Sequence, residues 1–321
     1  MLGCFDLRRF CQPGRGDMGV DLSGIVPRSE IKLESLRRRR IAIDTYIHLY
    51  QFITSLPPLT DHKGRPTSHL AGLFYRTTHL MSLGIKPIFV FDGQPAPIER
   101  HKKITAQPGQ PRITGRISPF VIESSRALLE ALGLPVVQAP SEAEAQAAWM
   151  CGRGDAWAVA SQDFDSLMFG APRMIMNLTM AKTRRLPSRA RARARKVLIG
   201  IYLYELKKIL RQLKLSHDQL IVLCMLIGTD FNPGIYGVGQ KSALDIVRRY
   251  GKRFDVLFNE LGWSYSYSWK DVFEHIKSMP VTNRYKLRWR AIDKRAVQRL
   301  LVKKHDFNEA RVKAALERAG A

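Results

Sequence analysis

Acidic residues are scarce in this chain. Against 52 Lys+Arg stand only 28 Asp+Glu, a formal net charge of +24 over 321 residues. A charge of that size and sign favours a polyanion partner, without saying whether it is DNA, RNA or a membrane surface. Cysteine is scarce too. Cys4, Cys11, Cys151 and Cys224 make neither a disulfide framework nor a paired CxxC zinc site. A reducing, intracellular setting is therefore expected. No apolar run approaches the roughly 18 residues that a membrane span needs; the longest strongly apolar stretch is Leu220 to Gly228. Arg8 and Arg9 precede no apolar core of the kind a secretory signal carries. The length and 45% hydrophobic content suit one large or two ordinary domains with a proper core.

Residues 1–17 stand apart. They hold two of the cysteines and a Gly-rich exit, and they precede a second methionine, Met18. A disordered leader or an upstream start codon is expected there. From residue 41 to about 180, short apolar runs alternate with helical stretches. Ile41–Asp44, Pro87–Asp92, Pro135–Gln138, Ala156–Ser161 and Arg173–Leu178 read as strands. Thr45–Leu56, Ser68–Leu83, Pro119–Leu132 and Ser141–Cys151 read as helices. This order predicts an α/β fold, a mostly parallel sheet covered by helices on both faces. From Lys196 onward the pattern turns mainly helical, with Leu198–Leu213, Ser216–Gly228 and Lys241–Tyr250 as the clearest pieces. The expected division is a leader at 1–17, a core at 18–195 and a helical region at 196–321.

Two segments break the pattern. Residues 93–118 contain Gly93, Pro95, Pro97, Pro108, Gly109, Pro111 and Gly115, so no long regular helix fits. A loop of that length inside a compact domain is usually functional or disordered. Lys182–Lys196 carries eight basic residues and no acid. Its RARARAR core puts arginines on one face only if it is extended. A solvated basic loop and a phosphate-contacting loop are equally supported.

The scarce acids fall at informative places. Asp44 ends IAID, Asp92 ends PIFVFD, and Asp163 and Asp165 lie just beyond AWAVAS. Any one has an ordinary explanation, because Asp is common in turns. Four at strand exits converge on the rim where open parallel sheets bind ligands. Glu142 and Glu144 start the next helix, where Ser141 and Glu144 also fit capping-box spacing. On that motif alone the cap is favoured, with one or both glutamates left to reach the site. Asp230, in IGTDFNPG, follows an apolar helix and alone would be an ordinary helix-end residue. Clustered carboxylates repel and take up protons unless cations neutralise them. A pair of Mg²⁺ ions meets that need with few direct carboxylates each. Such a pair stabilises both the attacking and the leaving oxygen of phosphodiester hydrolysis. No HxxEH or Cys/His cluster suggests zinc, so Mg²⁺, or Mn²⁺ in its place, is expected.

On these residues the chain resembles the flap endonuclease family, the XPG-type structure-specific 5′ nucleases, and especially its archaeal members. MGVDLSGIV is similar to the family start, and IAIDTYIHLYQF to its first metal-site motif. TSHLAGLFYRT, GIKPIFVFDG, APSEAEAQAAWM, ASQDFDSLMFG and LIGTDFNPGIYGVGQKSAL follow in family order, from Met18 almost to the C-terminus. The resemblance implies a PIN-like nuclease core with an appended helix–two-turn–helix. It implies metal-site roles for Asp44, Asp92, Glu142, Glu144, Asp163, Asp165 and Asp230, and so resolves the glutamates towards function. Asp44, Asp92 and Glu142 would surround one ion, and Asp163, Asp165 and Asp230 the other. Tyr50 matches the aromatic that stacks on a base beside the scissile phosphate, although Tyr46 and Tyr50, four apart, also fit a core. Arg76 matches a basic residue of the DNA-facing helix; a solvated arginine is its ordinary explanation.

GIYGVGQKSALDIVRRYG carries physics of its own. Gly237 and Gly239 permit tight turns, and the helix that follows offers free N–H groups to a phosphate. Lys241 adds charge there, with Arg248 and Arg249 further along. The segment resembles the family's helix–two-turn–helix, which grips duplex backbone without reading sequence, often with a monovalent cation such as K⁺.

The chain departs from the family in three places. The arch segment after Asp92 is shortened and interrupted by prolines, and Glu99 stands where the family has its arch lysine. Arg100, Lys102 and Lys103 are the nearby basic substitutes. Slower or less flap-selective cleavage than a full-arch relative is the expectation. The C-terminus, ARVKAALERAGA, shows no sliding-clamp peptide, so clamp binding does not follow from this chain. At the other end, residues 1–17 would displace Gly19 from the mature N-terminus that the resemblance implies, unless translation starts at Met18. The expectation is a monomeric, cytoplasmic, Mg²⁺-dependent 5′ flap endonuclease, with 5′-3′ exonuclease activity, acting on branched double-stranded DNA in replication and repair. Two alternatives are a related 5′ exonuclease or junction-cutting nuclease, and a nonenzymatic branched-DNA binder.

Overall fold

A computed structural model describes residues 20–93, 117–178, 183–185 and 196–320. In chain order the strands are β1 (Ser29–Ile31), β2 (Arg40–Asp44), β3 (Lys86–Phe91), β4 (Val136–Gln138), β5 (Ala158–Ala160), β6 (Arg173–Met176), β7 (Thr183–Arg185), β8 (Lys196–Leu198) and β9 (Ile201–Glu205). Seven of them form one sheet in the order β1-β9-β6-β5-β2-β3-β4, and β7 pairs with β8 alone. β2 runs parallel to both β3 and β5, β3 to β4, and β5 to β6. β9 runs antiparallel between β6 and β1. Central parallel strands with an antiparallel edge make the sheet mixed, as expected for an α/β domain.

The helices are α1 (Thr45–Ser55), α2 (Ser68–Ser82), α3 (Pro119–Ala131), α4 (Ala143–Gly152), the single turn α5 (Asp165–Met168), α6 (Leu206–Leu213), α7 (His217–Ile227), α8 (Gln240–Tyr250), α9 (Phe254–Glu260), α10 (Trp269–Lys277), α11 (Lys294–Gln298) and α12 (Glu309–Arg318). Alternation along the strands sorts the two faces. Ile41, Ile43, Phe89 and Phe91 pack with Leu73 and Phe74 of α2, Leu128 of α3 and Leu316 of α12. The side chains between them, Ala42, Ile88 and Val90, face Ala143, Ala147 and Met150 of α4. β2 and β3 are thus apolar on both faces. Each fully buried Ile, Phe or Leu contributes about 1.5–3 kcal/mol. A further cluster joins Phe164, Met174 and Tyr204 to α7, α8 and α10. Packing crosses residue 195 in both directions, since β9 belongs to the sheet and α12 to its covering layer.

Two expectations are corrected. The helix expected over Leu198–Leu213 begins only at Leu206; Ile201–Glu205 is instead β9. IYLYE is aromatic and β-branched, and hydrogen-bonding strands on both sides override its weak helical pattern. The helix expected from Ser141 starts at Ala143, with Glu142 as N-cap residue, and no side chain caps it from that position. The capping box of Ser141 and Glu144 therefore does not form. The arginine-rich stretch lies between β7 and β8, and residues 186–195 are outside the described residues, as is the segment 94–116 with Glu99, Arg100, Lys102 and Lys103. Among the described residues, no helix is long and apolar enough to cross a membrane.

Candidate metal centre

The carboxyl rim of the parallel strands carries the acids, and backbone N–H groups aim them. Asp44, at the end of β2, is the N-cap of α1 and its Oδ1 accepts from the N–H of Tyr46 (2.9 Å) and Ile47 (3.3 Å). Asp92 follows β3, and its Oδ1 accepts from Ala143 N–H at 2.7 Å, taking the place of the missing local cap of α4. Gly93 makes that approach possible. A Cβ there would lie 2.3 Å from the carbonyl oxygens of Ala139 and Pro140, and Gly93 N–H donates to Ser141 C=O at 2.6 Å. Asp165, in the turn after β5, accepts on Oδ1 from Val20 N–H at 2.9 Å. Asp163 accepts on Oδ1 from the Asp165 N–H at 3.3 Å.

Glu144, Asp163 and Asp165 bring one carboxylate oxygen each within 4.8 Å of one another, the arrangement of a metal-binding group. Glu144 and Asp165 are buried and Asp163 is half-buried. Burial raises the Glu144 carboxyl well above its usual value, and the nearby charges of Asp163, Asp165 and Asp44 add to the effect. Asp163 is pushed up to about 7 by burial first, with Asp230 and Asp44 contributing, and it shares a hydrogen bond with Glu144. Asp44 is raised to about 6 by burial, against the opposing pull of its two N–H donors. Glu144 Oε1 is buried without a hydrogen-bond partner. A buried, unsatisfied acceptor among acids that hold protons fits a hard cation with oxygen ligands.

The remaining acids border this group. The charges of Asp44 and Asp230 reach Asp163, and Asp44 and Asp92 both act on the Tyr46 hydroxyl, which burial foremost pushes up. Glu142 is half-buried at the start of α4. Tyr50 is half-buried on α1, and Tyr46, also half-buried, packs against the core cluster and edge-on to Phe91. Arg76 on α2 is half-buried, its pKa lowered by desolvation, and its charge acts on the buried His48. Neither supporting group beside the rim was apparent from local spacing. His48 hydrogen-bonds through Nδ1 to the Asp44 carbonyl at 2.5 Å and stays neutral, its pKa lowered to about 4 chiefly by burial. Arg126 holds Gln138 Oε1 at 2.6 Å, and Gln138 Nε2 donates to the Asp92 carbonyl at 2.6 Å.

A second feature lies beyond α7. Thr229 and Asn232 close a buried turn, with Thr229 Oγ1 donating to Asn232 Oδ1 at 2.8 Å. Val238 N–H then donates to Ile235 C=O at 3.0 Å, and Gly237 adopts φ +79° at the turn between them. Gly239 is the N-cap residue of α8, with φ −97° and ψ 178°, an extended conformation open to any residue. A Cβ at either glycine would meet nothing within 4 Å, so an outside group can approach this backbone closely. Lys241 is exposed in the first turn of α8, and Tyr236, at the turn, is 93% exposed.

Oxygen donors at the carboxyl rim of a parallel sheet, followed by a glycine turn into a basic helix, define a metal-dependent nuclease class. Residues 18–107 match the model of the XPG N-terminal domain, and residues 133–230 that of the XPG I-region. Flap endonuclease 1 of Pyrococcus furiosus is 42% identical, across 94% of each chain. That of Aeropyrum pernix is 40% identical, across 94% of this chain and 95% of its own. The solved flap endonuclease-1 from Methanococcus jannaschii superposes with a TM-score of 0.78 at 33% identity, covering 94% of this chain and 98% of that one. The catalytic core of Rad2 in complex with DNA substrate shares the fold, with a TM-score of 0.71 at 22% identity over 91% of this chain and 96% of its own. The chain belongs to the flap endonuclease family.

Proposed function

We propose that this chain cuts branched DNA bearing a 5′ flap, using the acidic rim to hold two Mg²⁺ ions. One observation carries the reading: Glu144, Asp163 and Asp165 converge, and burial raises the carboxyls of Glu144 and Asp163. A site built only to bind DNA gains nothing from buried carboxylates facing a polyanion. Asp44, Asp92, Glu142 and Asp230 complete the donor set. Once bound, the ions supply Lewis acidity and a neutral-pH water nucleophile for phosphodiester hydrolysis. The chain's own part is to hold the donors still through the N–H groups of Tyr46, Ala143 and Val20. Tyr50 and Arg76 are the proposed contacts to the strand being cut. The turn at Gly237 and Gly239, with Lys241, is the proposed grip on duplex phosphates, and K⁺ is its candidate companion ion.

The test is a cleavage panel of 5′ flap, nick, gap and four-way-junction DNA with and without Mg²⁺. Flap cleavage that requires Mg²⁺ supports the reading. Preference for junctions or gaps moves the chain to a related specificity, and binding without cleavage overturns the enzymatic reading.

A further inference from the structure

Residues 20–26 run from the acidic rim to the first residue of α8, and hydrogen bonds to distant residues fasten both ends. At the rim, Val20 N–H donates to Asp165 Oδ1 at 2.9 Å, and the Val20 carbonyl accepts from Phe164 N–H at 3.2 Å. At the other end, Gly24 N–H donates to Gln240 Oε1 at 3.0 Å. Around Gly24 the chain turns, because the N–H groups of Ile25 and Val26 both return to the Leu22 carbonyl, at 3.0 and 3.2 Å. Val20, Leu22 and Val26 are buried in the same apolar cluster as Phe164, Ala243 and Val247. A Cβ at position 24 would sit 2.5 Å from Gln240 Oε1, so a side chain there obliges the Gln240 amide to move away.

We propose that this segment is a strut between the duplex-gripping helix and the metal centre, with Gln240 as a positioning residue. The proposal rests on the reading of α8 as the duplex contact. A phosphate seated at the start of α8 restricts the residue there, and Gln240 passes that restriction to Gly24. Buried Leu22 and Val26 anchor the turn in the apolar cluster while Gly24 lies at the surface, so fixing Gly24 also restrains Val20, which holds one oxygen of Asp165. Duplex binding thereby orders a carboxylate of the metal centre before chemistry begins. Losing one such hydrogen bond corresponds to an effect of about 3- to 10-fold.

The experiment uses the full chain with 5′ flap DNA and three variants. Gln240→Met keeps length but removes the acceptor, Gly24→Ala expels it, and Gln240→Glu restores an oxygen. Peptide-resolved hydrogen exchange over residues 20–26 is followed with and without DNA in metal-free buffer. The Mg²⁺ half-saturation of single-turnover cleavage is measured at saturating DNA. In the wild type, DNA slows exchange at Val20. In Gln240→Met and Gly24→Ala that slowing is lost and the Mg²⁺ half-saturation rises about 3- to 10-fold, while in Gly24→Ala, away from the phosphate seat, DNA affinity stays within about 2-fold. Gln240→Glu, assayed at DNA concentrations raised to offset the negative charge it adds beside the phosphate seat, recovers both properties. DNA-induced slowing in Gln240→Met equal to wild type, with an unchanged Mg²⁺ response, overturns the strut alone. Lys241→Ala that leaves DNA affinity and its salt dependence untouched overturns the α8 reading and the strut with it.

Discussion

In the proposed reading, the acidic rim and the turn into α8 handle the same polyanion by opposite means. At the rim, acids are withdrawn from water, aimed by backbone N–H groups and left with raised proton affinities. At the turn, glycine backbone and Lys241 face solvent, with open space beside Gly237 and Gly239. The first arrangement is costly unless a cation occupies it; the second costs little. In a chain of net charge +24, the residues of minority sign are the ones placed most exactingly. Substitutions at the rim should therefore act on rate, and substitutions at the turn on binding.

The largest effect is expected at the rim. Asp163→Asn should lower single-turnover cleavage on the order of 10²–10³-fold, while DNA affinity, measured by fluorescence anisotropy, stays near wild type. A variant that cleaves normally breaks the division at its chemical end.

Proton uptake at the rim gives the next effect. Asp44 and Asp163 move from 3.8 to about 6 and about 7 on folding. Without metal, the folded protein holds protons that the unfolded chain has released above pH 4. The contribution of these groups to stability is then greatest below pH 4 and declines as pH rises to about 7. A bound cation replaces the protons and removes the penalty at neutral pH. The rise in Tm on adding Mg²⁺ should be larger at pH 8 than at pH 5, by roughly 5 °C. Equal rises at both pH values would contradict the assigned cluster.

At the turn, Lys241→Ala should weaken duplex binding modestly and reduce the salt slope by about 1, as expected for loss of one phosphate contact. Cleavage at saturating DNA should hold. The smallest effect separates the two glycines. Gly237→Ala, at φ +79°, should cost about 1–2 kcal/mol in urea unfolding, whereas Gly239→Ala, in extended backbone, should cost less than half of that. Equal costs would mean the turn is not held as described.

Local pattern and tertiary contact explain what the sequence disclosed. IAID and PIFVFD were legible as strands because apolar residues fill both faces and Asp marks each exit. The motif order was legible because the chain resembles its family from Met18 onward. IYLYE was not legible as a strand, since its neighbours β6 and β1 lie far off in sequence. The start of α4 misled for the same reason. Ser141 and Glu144 have the spacing of a cap, yet the Ala143 N–H goes to Asp92, 51 residues away. Gln240, between Gly239 and Lys241, carries no local signal, and only folding brings Gly24 to it.

The central claim is that Glu144, Asp163 and Asp165 form a cation site distinct from the duplex grip. Calorimetric titration of Mn²⁺ into wild type, Glu144→Gln and Lys241→Ala at pH 7.5, without DNA, tests it most directly. Mn²⁺ should occupy one site alike in wild type and in Lys241→Ala, and that site should be weakened at least about 10-fold in Glu144→Gln. The same affinity and stoichiometry in Glu144→Gln as in wild type would contradict it.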